Sequence, residues 1–277
     1  MRHRLAFGAV ALVALLVAVV AAGAATAAST SQITPPANIA KAGKVTFCMD
    51  ISFPPFGYFS ASNKPIGVEV DLVTAIDKLM GVSTTFRNTQ FDGLIPALQA
   101  GQCDAIISGL YDKASRRKVV DFVDYAYVGN NIVVPKGNPH HVNGLAGLSG
   151  LKVGVESGTT LRLNLLAENK KLAAAGKTQM TVVDFPTDSA AFQQLVAGNV
   201  DAYFSSGSAA AYYVKKTRGQ VQIVGPTLAA LPFGIATRKN EKALHRDFAK
   251  GLSLLRKNGQ YTAIFKKWGA LNTVLKG

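Results

Sequence analysis

The chain has 277 residues, of which 48% are hydrophobic, and its formal net charge is +14. This composition excludes a largely disordered chain and indicates a packed globular protein with one large domain or two modest ones. The basic residues are scattered and form no nucleic-acid-binding motif, so we expect no nucleic-acid partner despite the positive charge.

The start of the chain has the pattern of a secretory signal peptide. Arg2 and Arg4 form a basic n-region, and residues 5–20 form an apolar stretch. The ATA sequence at 25–27 is a small-x-small cleavage site. We expect export to the periplasm or the exterior of the cell envelope, with a mature chain that begins near Ala28. An uncleaved anchor helix is the alternative, and no later apolar stretch is long enough to span a bilayer.

Residues 28–43 form a polar, proline-containing segment that is predicted to be a flexible leader. Alternating predicted strands and helices follow it. Helical spacing of apolar residues predicts a helix over 68–80 that stops at Gly81. The other predicted elements of this first unit are strands at 44–49, 83–88 and 104–108, a short helix at 91–101 and an extended segment at 126–136.

A second unit has the same alternation of strands and helices. Its predicted strands are 151–156, 180–185, 201–205 and 220–224, and its helices are 159–176, 188–198 and 208–217. A second extended segment follows at 231–239, and the tail is predicted to form two helices that are separated near Gly259.

Alternating strands and helices are typical of parallel sheets covered by helices on both faces, so we predict an α/β fold of two lobes. The two extended segments would form a two-strand hinge. Lobe 1 would comprise residues 44–135 and 231–277, and lobe 2 residues 136–230. Loops at the carboxyl ends of the strands would line a ligand-binding cleft between the lobes.

The two cysteines, Cys48 and Cys103, fall late in one predicted strand and just before another. An exported protein can carry a disulfide. If the strands lie side by side and parallel, however, the cysteines are offset by roughly 10 Å at ~3.3 Å per residue, which is too far for a bridge. We therefore expect two free thiols.

Seven segments together carry a family pattern. They are MDISFPPFGYF (49–59), GVEVDLVTAI (67–76), FDGLIPALQAGQCDAIISGL (91–110), SRRKVVDF (115–122), LSGLKVGVESGTT (148–160), LVAGNVDAYF (195–204) and LRKNGQYTAIFKKWG (255–269). In this order they resemble the extracytoplasmic solute-binding proteins of family 3, which deliver polar amino acids to ABC transporters. The resemblance covers nearly all of residues 44–269.

This resemblance implies a type II periplasmic-binding-protein-like fold, with two parallel or mixed sheets and lobes that close on a ligand. It implies a monomeric receptor that binds an amino acid or a related carboxylate-bearing solute and hands it to an ABC permease in the membrane. We expect no catalysis and no cofactor, since the sequence has no Ser-His-Asp pattern and no metal-ligand spacing.

Arg116 is the residue that matches the family's ligand arginine, because Phe122 fixes the register of the segment. A guanidinium offers paired donors that suit the α-carboxylate of an amino acid. The hydroxyls of Thr159 and Thr160 stand where a helix begins, a place that suits an anion, although N-capping is the alternative. The resemblance points to Thr160 as the carboxylate ligand from the opposite lobe.

Three further residues match ligand positions of the family. Phe53 and Phe91 would pack against the solute's side chain from two sides, with core packing as the alternative. Asp50 stands at the position that reads the side chain, where it would pair with a cationic or donor-bearing group. The alternative is that Asp50 only caps its own loop.

The chain departs from the family pattern at the expected ammonium site. Ser206 replaces the usual lobe 2 acid, and the turn formed by Ser108, Gly109 and Tyr111 contains a bulky residue where small hydroxyl residues are frequent. Leu161 also stands at an often polar position. An aromatic cage for a betaine, an ectoine or an opine is therefore an alternative. A dehydratase of the same fold is another, with Glu156 as its acid.

Overall fold

The computed structural model describes residues 31–275, so the predicted signal peptide lies outside the described residues. The helices are α1 Ala37–Ala42, α2 Val68–Met80, α3 Leu94–Gln99, α4 Ala114–Arg117, α5 Thr160–Ala174, α6 Asp188–Val196, α7 Gly207–Lys216, α8 Lys242–Lys257 and α9 Gln260–Lys267. The strands are β1 Lys44–Met49, β2 Ser52–Phe53, β3 Gly57–Phe59, β4 Pro65–Ile66, β5 Ser83–Asn88, β6 Ala105–Ile106, β7 Val120–Pro135, β8 Lys152–Glu156, β9 Thr181–Phe185, β10 Ala202–Ser206 and β11 Val221–Arg238. Within the described range, no helix has the length and apolarity that a membrane span needs.

The main sheet is mixed and has the strand order β5-β1-β6-β11-β7-β10-β8-β9, which confirms the predicted α/β fold class. Strands β5, β1 and β6 are parallel and form its first half, while β9, β8 and β10 are parallel and form its second half. The long strands β7 and β11 pair antiparallel between the halves. They are the two connections that the sequence predicts as a hinge.

Strand β11 joins two segments that the sequence analysis treats as separate, 220–224 and 231–239. Its pairing with β7 shifts register between Val224 and Leu228, between Leu228 and Leu231, and again after Phe233. Such irregularities bend and twist a strand pair without ending it. The two halves are therefore connected by a continuous but irregular β-ribbon.

Each half of the sheet has apolar clusters that consist of alternate strand residues, as the two-residue period of a strand requires. In the first half, Phe47 packs on one face and Cys48 on the other. In the second half, Phe204 and Tyr203 are divided between the two faces in the same way. Both halves are thus covered on both sides, as parallel strands require.

The prediction of a flexible leader is wrong for the described part of that segment. Ala37–Ala42 form helix α1, which ends at Gly43 with a left-handed backbone conformation. Ile33 and Ile39 are only 1% and 2% exposed and belong to the core of the first half. Two apolar side chains in a polar segment therefore bind it to the domain.

The expectation of free thiols is also wrong, because Cys48 and Cys103 form a disulfide with a Cα–Cα distance of 5.6 Å. The predicted offset holds only for a strand that extends back through Cys103. Strand β6 begins only at Ala105, and Cys103 lies in the turn after α3, where Gly101 has a φ of 70°. The chain in this turn departs from the strand direction and places Cys103 against β1.

Asp77 is a fully buried carboxyl in α2. It accepts a hydrogen bond of 2.6 Å from the Thr84 hydroxyl. Burial raises the pKa of Asp77 to about 8. A folded-state pKa above the unfolded value stabilises the fold at low pH, and this stability is lost as pH rises from about 4 to about 8.

Asp77→Asn keeps an acceptor for Thr84 but cannot ionise. We expect its unfolding free energy to fall less between pH 5 and pH 8 than that of the native chain, by about 1.4 kcal/mol for each unit of pKa shift removed. Urea denaturation at a series of pH values measures this difference. Equal pH slopes for the two proteins would contradict it.

Candidate functional site

A cavity of about 20 Å³ lies between the halves, at the carboxyl ends of β1, β6, β8 and β10. Nine of the ten predicted ligand residues line it: Asp50, Phe53, Phe91, Ser108, Gly109, Tyr111, Thr159, Thr160 and Ser206. Arg116 lies beside this lining. The sequence analysis did not propose the following lining residues as ligand contacts: Val155, Glu156, Leu161, Asp188, Phe204, Ser205 and Phe233.

Arg116 is buried at the end of the short helix α4, with 8% of its surface exposed. Its guanidinium stands 5.5 Å from the ring centroid of Phe91, and its Nη1 donates a 3.0 Å hydrogen bond to the carbonyl of Tyr111. Both neighbours line the cavity. Burial lowers the pKa of Arg116 to about 10, so the side chain stays cationic at neutral pH.

Arg116 has no acidic partner among residues 31–275, whereas Arg117 forms an ion pair with Asp112. The Arg117 side chain is 62% exposed, and Lys118 is exposed as well. Of these three adjacent basic residues, only Arg116 is buried. A buried cation without a carboxylate inside the protein is suited to one from a bound solute.

The two threonines at the start of α5 have different roles. Thr159 is the N-cap: its hydroxyl accepts from Arg162 N at 3.2 Å and donates to the Glu156 carbonyl at 2.8 Å. The Thr160 hydroxyl is buried and has no hydrogen-bond partner in the described chain. The free hydroxyl at this helix start is therefore that of Thr160, whereas Thr159 has the N-capping role that was the alternative for the pair.

The turn after β6 is fixed by a buried carboxylate. Gly109 donates its N–H to Glu69 Oε1 at 2.6 Å, and the Tyr125 hydroxyl donates to the same oxygen. Gly109 has a φ of 55°, and a Cβ there would lie 2.7 Å from the Phe53 ring. Glycine is required at this position both by the backbone conformation and by the approach of Phe53.

The lining residues Phe53, Tyr111 and Phe233 form an aromatic cluster with Phe56. Phe53 stacks on Phe56 with centroids 5.7 Å apart, and Phe233 contacts both rings at 6.2 Å and 5.4 Å. Tyr111 lies 4.5 Å from Phe233. Phe233 belongs to β11 and could have been proposed from its place in the extended segment that crosses the cleft.

The Tyr111 hydroxyl is bound to the hinge strand β7. It donates toward Asn130 Oδ1 at 2.6 Å and Val128 O at 3.1 Å, both on β7. The bulk of Tyr111 thus fills the space beside Gly109 and joins the turn to the ribbon.

Ser206 stands at the N-terminus of α7, where its hydroxyl accepts a hydrogen bond of 3.2 Å from Ala209 N. This hydroxyl caps the helix and carries no charge. Three carboxyl groups line the same cavity instead, those of Asp50, Glu156 and Asp188. Burial raises the pKa of Asp188 to about 6, and hydrogen bonds from Tyr203 and Ser205 partly offset that rise.

Two segments touch across the cleft. Gly158 in the loop between β8 and α5 has a φ of 72°, and a Cβ there would lie 2.6 Å from the Cβ of Asp92. Phe53 packs against apolar clusters of both halves, and so does Leu161. The two halves are therefore in contact around the cavity.

Comparison with known proteins gives a consistent result. The family profile of the bacterial extracellular solute-binding proteins, family 3, matches residues 45–271. The ABC transporter arginine-binding protein 1 of Escherichia coli (strain K12) is 29% identical over 232 residues, which are 82% of this chain and 91% of that protein.

Two solved structures are similar in fold and sequence. An ancestral arginine-binding protein bound to arginine superposes with a TM-score of 0.75 at 38% identity and covers 82% of this chain and 98% of its own. An ancestral amino-acid-binding protein, described as a precursor of cyclohexadienyl dehydratase, gives a TM-score of 0.73 at 31% identity, with coverages of 83% and 97%.

Proposed function

Because the chain belongs to the family 3 bacterial extracellular solute-binding proteins, we propose that it binds an amino acid between its two halves and delivers it to an ABC permease. Arg116 carries this proposal, since it is a buried cation beside the cavity with no acidic partner in the described chain. Its guanidinium would bind the α-carboxylate, and the free Thr160 hydroxyl would bind it from the other half.

Binding requires the two halves to separate and close again. A cavity of about 20 Å³ has room for about one water molecule, not for an amino acid. The β7–β11 ribbon is the connection about which such a movement would occur. A carboxylate held by Arg116 from one half and Thr160 from the other would make closure depend on the solute.

Asp50 supports an amino acid with a cationic or donor-bearing side chain. It is 3% exposed and lines the cavity. Arginine, which the relatives bind according to their names, is the first candidate. The aromatic-cage alternative is disfavoured, because the Tyr111 ring packs against Phe233 and its hydroxyl is bound to the hinge.

A binding screen of the mature protein tests the proposal. L-arginine, L-glutamine, L-histidine, L-cystine, glycine betaine, ectoine, an opine and succinate would each be added in a thermal-shift assay. We expect L-arginine at ~100 times its dissociation constant to stabilise the fold by about 2.7 kcal/mol. If no amino acid shifts the transition, the proposal fails.

We propose a receptor without enzyme activity, exported to the periplasm or the cell-envelope exterior and active as a monomer. Incubation with prephenate checks the activity, since a precursor of a dehydratase shares this fold. We expect no turnover above the uncatalysed rate. Turnover that is lost on Glu156→Gln would favour the dehydratase instead.

A further inference from the structure

The two halves place buried charged groups of opposite sign at the cavity. Arg116 of the first half is a buried cation beside the cavity, without an acidic partner in the described chain. Asp188 of the second half is the first residue of α6, lines the cavity and is 3% exposed. Among residues 31–275 it forms no ion pair. Each half thus has a buried charged group that no side chain of the described range neutralises.

The two carboxyl oxygens of Asp188 have different surroundings. Oδ1 accepts hydrogen bonds from the Tyr203 hydroxyl at 2.5 Å and from the Ser205 hydroxyl at 2.7 Å. Oδ2 is buried and has no hydrogen-bond donor among residues 31–275. A buried carboxylate oxygen without a donor is unfavourable. The two hydroxyls therefore fix the carboxyl group through one oxygen, and the other oxygen remains available to a donor from a solute.

Asp188 extends to the end of β10, where Ser206 stands in place of the family's acid. Ser205, which donates to Asp188, directly precedes Ser206, and both serines line the cavity. Strand β8 lies between β10 and β9 in the sheet. Asp188 follows β9, so its side chain passes over the end of β8 to contact β10. The Ser206 hydroxyl caps α7 and carries no charge, but a carboxyl group from another element is bound to its neighbour.

We propose that Asp188 binds the α-ammonium group of the solute through its free Oδ2 and so replaces the acid that is missing at Ser206. The inference rests on the proposed function, in which Arg116 binds the α-carboxylate, and adds the residue that recognises the amino group. An α-amino acid is a zwitterion. Its carboxylate would neutralise Arg116, and its ammonium would neutralise Asp188.

This arrangement makes closure depend on both charges of the solute. Arg116 lies on α4 in the first half and Asp188 on α6 in the second. A carboxylic acid without an amino group would satisfy Arg116, but it would leave Asp188 buried and unpaired when the halves meet. An unpaired buried charge is strongly unfavourable. The site should therefore select amino acids over carboxylic acids of the same size and side chain.

The other two carboxyl groups of the cavity are less suited to this role. Asp50 follows β1 and belongs to the first half. Glu156 belongs to the second half, but burial raises its pKa well above the ordinary value and the neighbouring carboxylates raise it further, which favours the neutral acid. Burial also raises the pKa of Asp188, to about 6, but the hydroxyls of Tyr203 and Ser205 favour its ionised form. Asp188 is therefore a carboxylate at neutral pH.

Calorimetric titration with matched pairs of ligands tests the assignment. L-arginine is compared with δ-guanidinovaleric acid, and L-glutamine with glutaramic acid, since each acid lacks only the α-amino group of its partner. We expect the native protein to prefer the amino acid by about 100-fold or more. Asp188→Asn keeps an acceptor for Tyr203 and Ser205 but has no charge. It should weaken amino-acid binding by about 100-fold, change binding of the deaminated acids little, and so remove the preference.

A second substitution distinguishes charge recognition from a structural role of Asp188. Ser206→Asp, combined with Asp188→Asn, returns one carboxylate to the family's position. Aspartate is also a good N-cap, so the hydrogen bond from Ala209 N can be kept. We expect this double variant to regain a preference of at least about tenfold for the amino acid. Damage to the packing around Asp188 would not be repaired by a carboxylate at position 206.

Asp184→Asn is the matched control, because it removes an exposed carboxyl of β9 that pairs with Arg162. It should bind and discriminate as the native protein does. Native protein that binds the deaminated acids as tightly as the amino acids would overturn the inference, even if Asp188→Asn failed to fold, and would leave the proposed solute receptor intact. Loss of the preference in Glu156→Gln but not in Asp188→Asn would also overturn it. If no amino acid binds, the proposed function and the inference both fall.

Discussion

Arg116→Met should weaken amino-acid binding by about 100-fold or more while the unliganded protein unfolds at no lower temperature than the native one. The methionine keeps an apolar stem against Phe91 but removes the buried charge. Charge-assisted hydrogen bonds contribute roughly 1.5–3 kcal/mol each, so loss of a two-pronged contact to a carboxylate accounts for this factor. Calorimetric titration with L-arginine and thermal unfolding measure the two effects.

Arg117→Met is the control, since it removes the adjacent arginine. That side chain is 62% exposed and paired with Asp112, so its loss should change affinity less than about threefold, as surface ion pairs contribute ~1 kcal/mol or less. Arg116→Lys should restore only part of the binding, because an ammonium cannot make the paired contact. Equal loss in the two methionine variants would show that general charge, not Arg116, draws in the solute.

Arg116 could be singled out from the sequence because Phe122 follows it at the family's distance, and it is the buried one of the three adjacent basic residues. Its role as a carboxylate ligand stays a prediction. The helices and strands of regular period could be predicted for the same reason, as the bounds of α2 and β5 agree with the predicted ones. Such features depend on residues close along the chain.

The rest depends on residues that only the fold brings together. The acidic cluster joins Asp50, Glu156 and Asp188 from three separate segments, and no local pattern states that their side chains converge. The Cys48–Cys103 bridge depends on a turn whose departure from the strand direction has no periodicity. The sequence predicts two segments in place of the single strand β11, because the apolar pattern is interrupted where the pairing shifts register.

Gly158→Ala should weaken binding by about tenfold because it destabilises the closed form, while the ligand contacts themselves stay unchanged. The added Cβ would lie 2.6 Å from Asp92 Cβ and 2.9 Å from Asp92 Cα. Asp92 belongs to the first half and Gly158 to the second, so these contacts exist only when the halves meet. Because backbone atoms cannot move aside as a flexible side chain does, the halves must stay further apart.

The backbone of Gly158, with a φ of 72°, adds a second effect that has to be separated. A left-handed conformation costs a residue with a Cβ about 1–2 kcal/mol, which lowers stability in any form of the protein. Gly176→Ala provides the comparison, because Gly176 has a φ of 65° and no atom within 4 Å of an added Cβ. Both variants should lose similar unfolding free energy, but only Gly158→Ala should lose affinity.

We expect affinity to fall in Gly158→Ala because the closed, ligand-binding form is less populated. The apparent affinity decreases in proportion to the population of that form. Small-angle scattering with saturating L-arginine should show a larger radius of gyration for Gly158→Ala than for Gly176→Ala. If the two variants bind and compact alike, the approach of Gly158 to Asp92 does not limit closure. In that case a carboxylate held by Arg116 and Thr160 would have to determine the closed distance alone.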